Sequence, residues 1–162
     1  MILTALLLGY VTLARLIELV IAQRNTTALL ARGAVEYGAD HYRWIVALHS
    51  AWLAGLWAFA WGHALHPLPL VVFGLLQLMR AWVLHTLGAR WTTRIVVVPG
   101  ETLVSAGPYR WVRHPNYLVV VGEIASLPLG FGMGAFALLF SVLNAVMLAV
   151  RIRAEEAALK PL

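Results

Sequence analysis

There is no cysteine among the 162 residues. That absence removes disulfides, thiolate metal sites, thiol nucleophiles and palmitoylation in one step. Charge is also scarce. Asp, Glu, Lys and Arg make up 12% of the chain, where a soluble domain carries about 25%. No GxGxxG fingerprint follows a strand-like run, which excludes a Rossmann cofactor domain. Repeats and low-complexity segments are absent too. What fills the chain instead is apolar: 62% of residues are hydrophobic, against about 45–50% in soluble proteins. One domain of this length cannot bury that excess in its own core, so lipid must cover part of it.

The net charge of +5 does not point to nucleic acid, because the arginines lie between long apolar runs rather than on one soluble face. Membrane lipids are the expected partners, through anionic head groups and the orientation of helices. The first apolar run has no basic start and carries Arg15 and Glu18 inside it. It is therefore expected to be a retained helix and not a cleaved leader.

A helix needs about 20 residues to cross the hydrocarbon. Five runs qualify or nearly do: 2–22, 44–63, 67–87, 116–130 and 132–150. The expected fold is thus an all-α integral membrane protein of five transmembrane helices. The last two runs meet at Pro128, Gly130, Gly132 and Gly134 and should form a tight hairpin. Segment 23–43 mixes Leu29, Leu30, Val35 and Tyr37 with Arg24, Arg32, Glu36 and Asp40, a pattern that predicts a helix lying at the interface. In segment 88–115, Ile95–Val98 should be extended, with turns at Pro99-Gly100 and Gly107-Pro108.

Basic residues occupy alternate connections. Arg24, Arg32 and Arg43 lie in 23–43, Arg90, Arg94, Arg110 and Arg113 in 88–115, and Arg151, Arg153 and Lys160 in the tail. The turns at 62–68 and near 130 hold no Lys or Arg. By the positive-inside rule the N-terminus is expected outside, and both large loops and the C-terminus are expected to face the cytoplasm.

Chemistry gathers in the run Gly107-Pro108-Tyr109-Arg110-Trp111-Val112-Arg113-His114-Pro115-Asn116-Tyr117. Pro115 suits the first position of a helix, whose free N–H groups and dipole attract a small anion. Arg110 and Arg113 can add bidentate contacts, and Tyr109, Trp111 and Tyr117 can stack on a base or face a cation. The alternative is an interfacial aromatic–basic belt. A second cluster, Arg151-Ile152-Arg153-Ala154-Glu155-Glu156, follows the last run. Arg151 and Glu155 there share a helix face. Its plain alternative is a basic anchor with a surface ion pair. Glu123 and Asn144 lie inside apolar runs, where polar groups are costly. Glu123 is taken as functional, Asn144 as structural glue. Arg15 and Glu18, three apart, can neutralise each other. His63 and His66 share a face but have no third and fourth ligand at metal-site spacing, so no metal is expected.

GPYRWVRHPNY, a short helical hairpin and then RIRAEE together resemble the isoprenylcysteine carboxyl methyltransferase family over about the last 75 residues. That family belongs to a wider set of membrane methyltransferases. RNTTALLARGAVEYGADHY and LHSAWL resemble a short bacterial branch that accompanies enzymes making alkylpyrones or phenolic lipids. The resemblance implies a single methyltransferase domain over 1–162, with three N-terminal helices in 1–87 and the cofactor loop, hairpin and tail in 88–162. It implies S-adenosyl-L-methionine as cofactor, held by Tyr109, Arg113, His114, Tyr117, Glu155 and Glu156. It also implies a lipophilic small-molecule substrate that arrives through a gap between helices. Two positions depart from the prenylcysteine enzymes: Val119 replaces a Gly, and Trp91-Thr92-Thr93-Arg94 replaces a stretch with an Asn-His pair. Both point the acceptor away from prenylcysteine.

The expected reaction is methyl transfer to an oxygen of a lipid-soluble acceptor, a carboxylate, phenol or pyrone. Positioning and exclusion of water are then the enzyme's main tasks. Arg94 and Arg151, with Arg153, are the candidates to stabilise an oxyanion. Glu123 is the candidate proton acceptor if it faces the cavity. Two other readings remain open at this level: a steroid-reductase-like enzyme using NADPH, and a non-enzymatic membrane scaffold. Oligomeric state has no signature in the sequence.

Overall fold

A computed structural model describes residues 1–159; Lys160 lies outside them. Five α-helices account for most of the chain: α1 (Ile2–Ala31), α2 (Ala39–Phe59), α3 (Pro67–Leu87), α4 (Pro115–Gly130) and α5 (Gly134–Leu159). Two short strands, β1 (Val35–Tyr37) and β2 (Ile95–Val97), pair antiparallel, with Glu36 opposite Val96. Prolines open two of the helices. Pro67 and Pro115 occupy first-turn positions, where the missing N–H costs nothing.

Three helical stretches, Ile2–Ala31, Pro67–Arg90 and Gly134–Leu159, are long and apolar enough to cross a membrane. At 16 residues, α4 reaches about 24 Å, less than the ~30 Å hydrocarbon core. The surface has the polarity of a bilayer protein. Leu3, Leu6, Leu13, Leu68, Leu75, Leu78 and Leu138 all face outward, while Arg80, Glu123 and Asn144 are buried. In water such an arrangement would expose a large apolar belt; in lipid it leaves polar groups paired inside and hydrocarbon outside.

Two expectations need correction. Segment 23–43 holds no interfacial helix. Its first part continues α1 to Ala31, its middle forms β1, and its end starts α2. Leu29 and Thr26 are buried on the inner face of α1, whereas Leu30, Val35 and Tyr37 stay exposed. The last helix also extends well beyond the expected end at 150. Helix α5 runs unbroken through Arg151 and Glu156, because nothing between Val150 and Leu159 breaks a helix. The expected extension at Ile95 and the turns at Gly100 and Gly107 are present.

The core is layered. Leu8 and Val11 of α1, Trp52 and Leu56 of α2, Phe73 of α3, Ile124 and Leu127 of α4 and Phe140 of α5 form one apolar cluster that joins all five helices. At one end the hairpin turn closes through Phe131 and Met133, whose N–H groups both donate to the Pro128 carbonyl, at 3.0 and 2.9 Å. Gly132 supplies the left-handed conformation this needs, at φ 69°. His66 N–H bonds the Gly130 carbonyl at 2.8 Å and ties this turn to the start of α3. A second cluster, Ala22, Val83 and Trp91 with Leu84, Leu87 and Tyr109 packed on it, lies towards the other, arginine-rich end.

Candidate active site at the basic end of the bundle

A cavity of about 760 Å³ opens at that end. Its walls come from the segment after α3, from the start of α4 and from the last turns of α5. All six residues implied as cofactor contacts line it: Tyr109, Arg113, His114, Tyr117, Glu155 and Glu156. So do Arg94 and Arg151.

The local sequence explains how they converge. Gly107, at φ 54°, lets the chain turn tightly against α3, where an added Cβ would meet Thr86 and Trp82. The 3-10 turn Gly107–Arg110 follows and buries Pro108. Pro115 then starts α4, with His114 in a non-helical conformation before it, as expected of a residue preceding proline. One turn further on, Tyr117 lies face to face with His114, the ring centres 5.1 Å apart and the planes 15° from parallel.

Tyr117 joins the two clusters. Its hydroxyl donates to Glu155 and accepts from Arg151 Nε at 2.9 Å. Arg151 Nη2 donates to the Thr93 carbonyl at 2.8 Å, and His114 Nδ1 lies 3.7 Å from Glu155. Thus α4, α5 and the 91–94 segment are bound together at one point. The Tyr109 phenol is pushed up to about 12 by burial and by the negative charge of Glu155, so it stays a neutral O–H donor across the physiological range. The cavity also has an apolar wall, formed by Leu29, Leu87, Ile95, Val96 and Val97. Glu101 pairs with Arg32 and, at 2.9 Å, with Arg90, holding the 98–106 segment across the cavity.

Arg110, Trp111 and Arg153 do not line the cavity, and the fold places Glu123 elsewhere altogether. It does not line the cavity. Its carboxylate is gripped by Arg80 Nε at 2.9 Å, Arg15 Nη2 at 3.0 Å and Gln77 Nε2 at 2.5 Å, and Arg80 Nη2 meets its other oxygen. Glu18 pairs with Arg15 at 2.6 Å and with Arg80 at 3.2 Å. Two glutamates and two arginines therefore neutralise one another between α1, α3 and α4. Arg15 and Glu18 do pair, as their spacing suggested, but within this larger network. A carboxylate with both oxygens on arginine N–H donors is a poor proton acceptor. Sequence reasoning passed over Arg80 and Gln77. The signal was there, since Arg80 is an ionisable residue inside an apolar run just as Glu123 is. Tyr42 had no such signal.

The cavity has the donor set for a nucleoside linked to an amino acid. It offers flat aromatic and imidazole faces at Tyr109, His114 and Tyr117, carboxylates at Glu155 and Glu156, and in Arg113 a cation with no ion-pair partner among the described residues. The model of the isoprenylcysteine carboxyl methyltransferase (ICMT) family matches residues 68–161. The chain belongs to that family. It is thereby placed among membrane methyltransferases, in agreement with its apolar helices. A Bacillus subtilis (strain 168) protein described as uncharacterized protein YpbQ is 39% identical over 96% of this chain and 95% of its own length. An uncharacterized protein of Haemophilus influenzae is 28% identical over 91% of the chain and 90% of its own length. No solved structure matches the chain. The family match spans the cavity's polar wall, α3 and the hairpin, whereas Leu29 and the residues of β1 precede it.

Proposed function

We propose that this ICMT-family protein transfers a methyl group from S-adenosyl-L-methionine to an oxygen of a lipid-soluble acceptor. In this reading the five helices cross a bacterial inner membrane and the cavity opens to the cytoplasm. The observation that carries it is the meeting of the arginine–histidine–proline loop and the acidic end of α5 at Tyr117 and Glu155, around a space large enough for a nucleoside and part of a second molecule.

When bound, the cofactor supplies an activated methyl on a sulfonium. The residues around it bind, orient and exclude water. Arg113 matches a carboxylate, Glu156 at the rim an ammonium, and Glu155 hydroxyl donors or a positive centre. Tyr109 and the His114–Tyr117 stack offer faces to a base. Arg94 and Arg151, the cavity-lining cations on the 91–94 side, are there to meet an acceptor's oxygen. The segment 98–106 roofs the space against water. With Glu123 committed to Arg80, no carboxylate of the helix interior serves as base, so an acceptor already ionised at its oxygen fits best. For such an acceptor, alignment of the two reactants supplies most of the rate.

The test uses purified protein in detergent. S-adenosylhomocysteine should raise the melting temperature, and NADPH should not. A labelled methyl donor added with lipid extract should then yield a labelled, organic-soluble product whose mass rises by one methylene. Stabilisation by NADPH alone would overturn the proposal in favour of a reductase. No stabilisation by either would leave a scaffold.

A further inference from the structure

The cavity arginines are not equivalent. Arg90 uses Nη1 on the Thr102 carbonyl at 2.7 Å and Nη2 on Glu101 at 2.9 Å. Arg151 uses Nε and Nη2 on Tyr117 and Thr93. Arg113 belongs to the polar wall. Arg94 stands where the polar wall meets the apolar one, directly before Ile95 of β2. Only its Nη1 is engaged among the described residues, by Glu36 at 2.7 Å. Its guanidinium lies over the Tyr42 ring, 4.5 Å from the ring centre. The Tyr42 hydroxyl is 3.0 Å from Thr93 Oγ1, and the Thr93 carbonyl is held in turn by Arg151. One aromatic residue near the start of α2 thus meets the Thr93 hydroxyl next to Arg94 and stacks on the Arg94 guanidinium.

From this geometry we infer that Glu36 and Tyr42 are positioning residues, which set Arg94 as the cation for the acceptor's ionised oxygen while the acceptor's chain lies on Leu29, Leu87 and β2. The inference rests on the methyltransferase reading and deepens it. Both positioning residues precede the part of the chain that the family model matches, whereas Arg94, Leu87 and β2 lie within it, so the N-terminal segment sets the cation of an acceptor site whose other walls belong to the matched part. A guanidinium stacked on a ring and tied at one nitrogen loses little further freedom on meeting an anion, which is why the stack favours binding. The acceptor class that follows is an amphiphile with a charged oxygen head and an apolar tail. Its methylated product loses the charge and with it the hold of Arg94, which favours product release.

The test compares tetradecanoate with its methyl ester as probes, each titrated against the purified protein by tryptophan fluorescence, since Trp91 lines the cavity and is buried. S-adenosylhomocysteine is titrated in parallel. Wild type should bind the carboxylate more tightly than the ester. Arg94→Ala should abolish that preference. Tyr42→Leu should weaken carboxylate binding about two- to fivefold, the effect of losing a cation–π contact, and Tyr42→Phe should keep most of it. In each variant S-adenosylhomocysteine affinity should stay within about twofold. Two results overturn the inference: no carboxylate preference in wild type, or a Tyr42→Leu loss that falls equally on both ligand classes, which marks a merely structural role. If wild type prefers the carboxylate but ignores S-adenosylhomocysteine, the cofactor reading fails and the Arg94 site stands.

Discussion

The Tyr117 hydroxyl donates to Glu155 and accepts from Arg151, so one phenol on α4 holds two residues of α5 that sit four apart. Bonds to charged groups of this kind contribute about 1.5–3 kcal/mol each. Tyr117→Phe keeps the ring stacked on His114 and removes both bonds. The expected result is a lower melting temperature and a loss of S-adenosylhomocysteine affinity of about tenfold or more, measured by calorimetry. Unchanged affinity would mean that Glu155 needs no help in facing the ligand.

The buried network around Glu123 makes a different demand. Glu123→Leu leaves Arg80, whose side chain is 7% exposed, short of its main partner. Breaking such a pair costs about 3–5 kcal/mol. The double variant Arg80→Leu/Glu123→Leu leaves Arg15 paired with Glu18 and should recover much of that loss. Thermal unfolding of the two single variants and the double gives the coupling directly. The double variant should also keep methyl transfer; a stable but inactive one would point to a general-base role.

Gly107→Ala tests how the loop is seated. The position has φ 54°, and a Cβ there would run into Thr86. The cost should exceed about 1 kcal/mol, and the loop should lift from α3. Faster hydrogen exchange in residues 107–114, with exchange in α3 itself unchanged, is the expected signature. Gly74→Ala, where a Cβ meets nothing within 4 Å, is the control.

Tyr109 sets a pH dependence at the alkaline end. Its folded value is raised from 10.0 to about 12. Between those two values the unfolded chain has released the phenol proton and the folded protein has kept it. Linkage then requires that stability, complete below pH 10, falls as pH rises through this window. Tyr109→Phe should unfold with a shallower pH dependence there. Equal slopes for the two proteins would show that the phenol is not shielded by burial.

Much of the architecture was legible in the residues themselves. Apolar runs of membrane length, prolines at helix starts and the glycines of the hairpin turn act through local chain geometry and the cost of hydrating hydrocarbon. They work the same wherever the rest of the chain lies. The loop from Gly107 to Tyr117 and the acidic end of α5 also stood out, because arginine, histidine and carboxylates are expensive beside lipid and are not placed there idly. What stayed hidden was pairing across the sequence. That Glu123 answers Arg80 and Arg15 rather than a substrate, that Glu36 and Tyr42 hold Arg94, and that segment 23–43 divides among α1, β1 and α2 all depend on which helix faces meet. A carboxylate's chemistry is set by the charges within a few ångströms of it, and these neighbours lie up to 108 positions away in the chain. Only the packed bundle decides them.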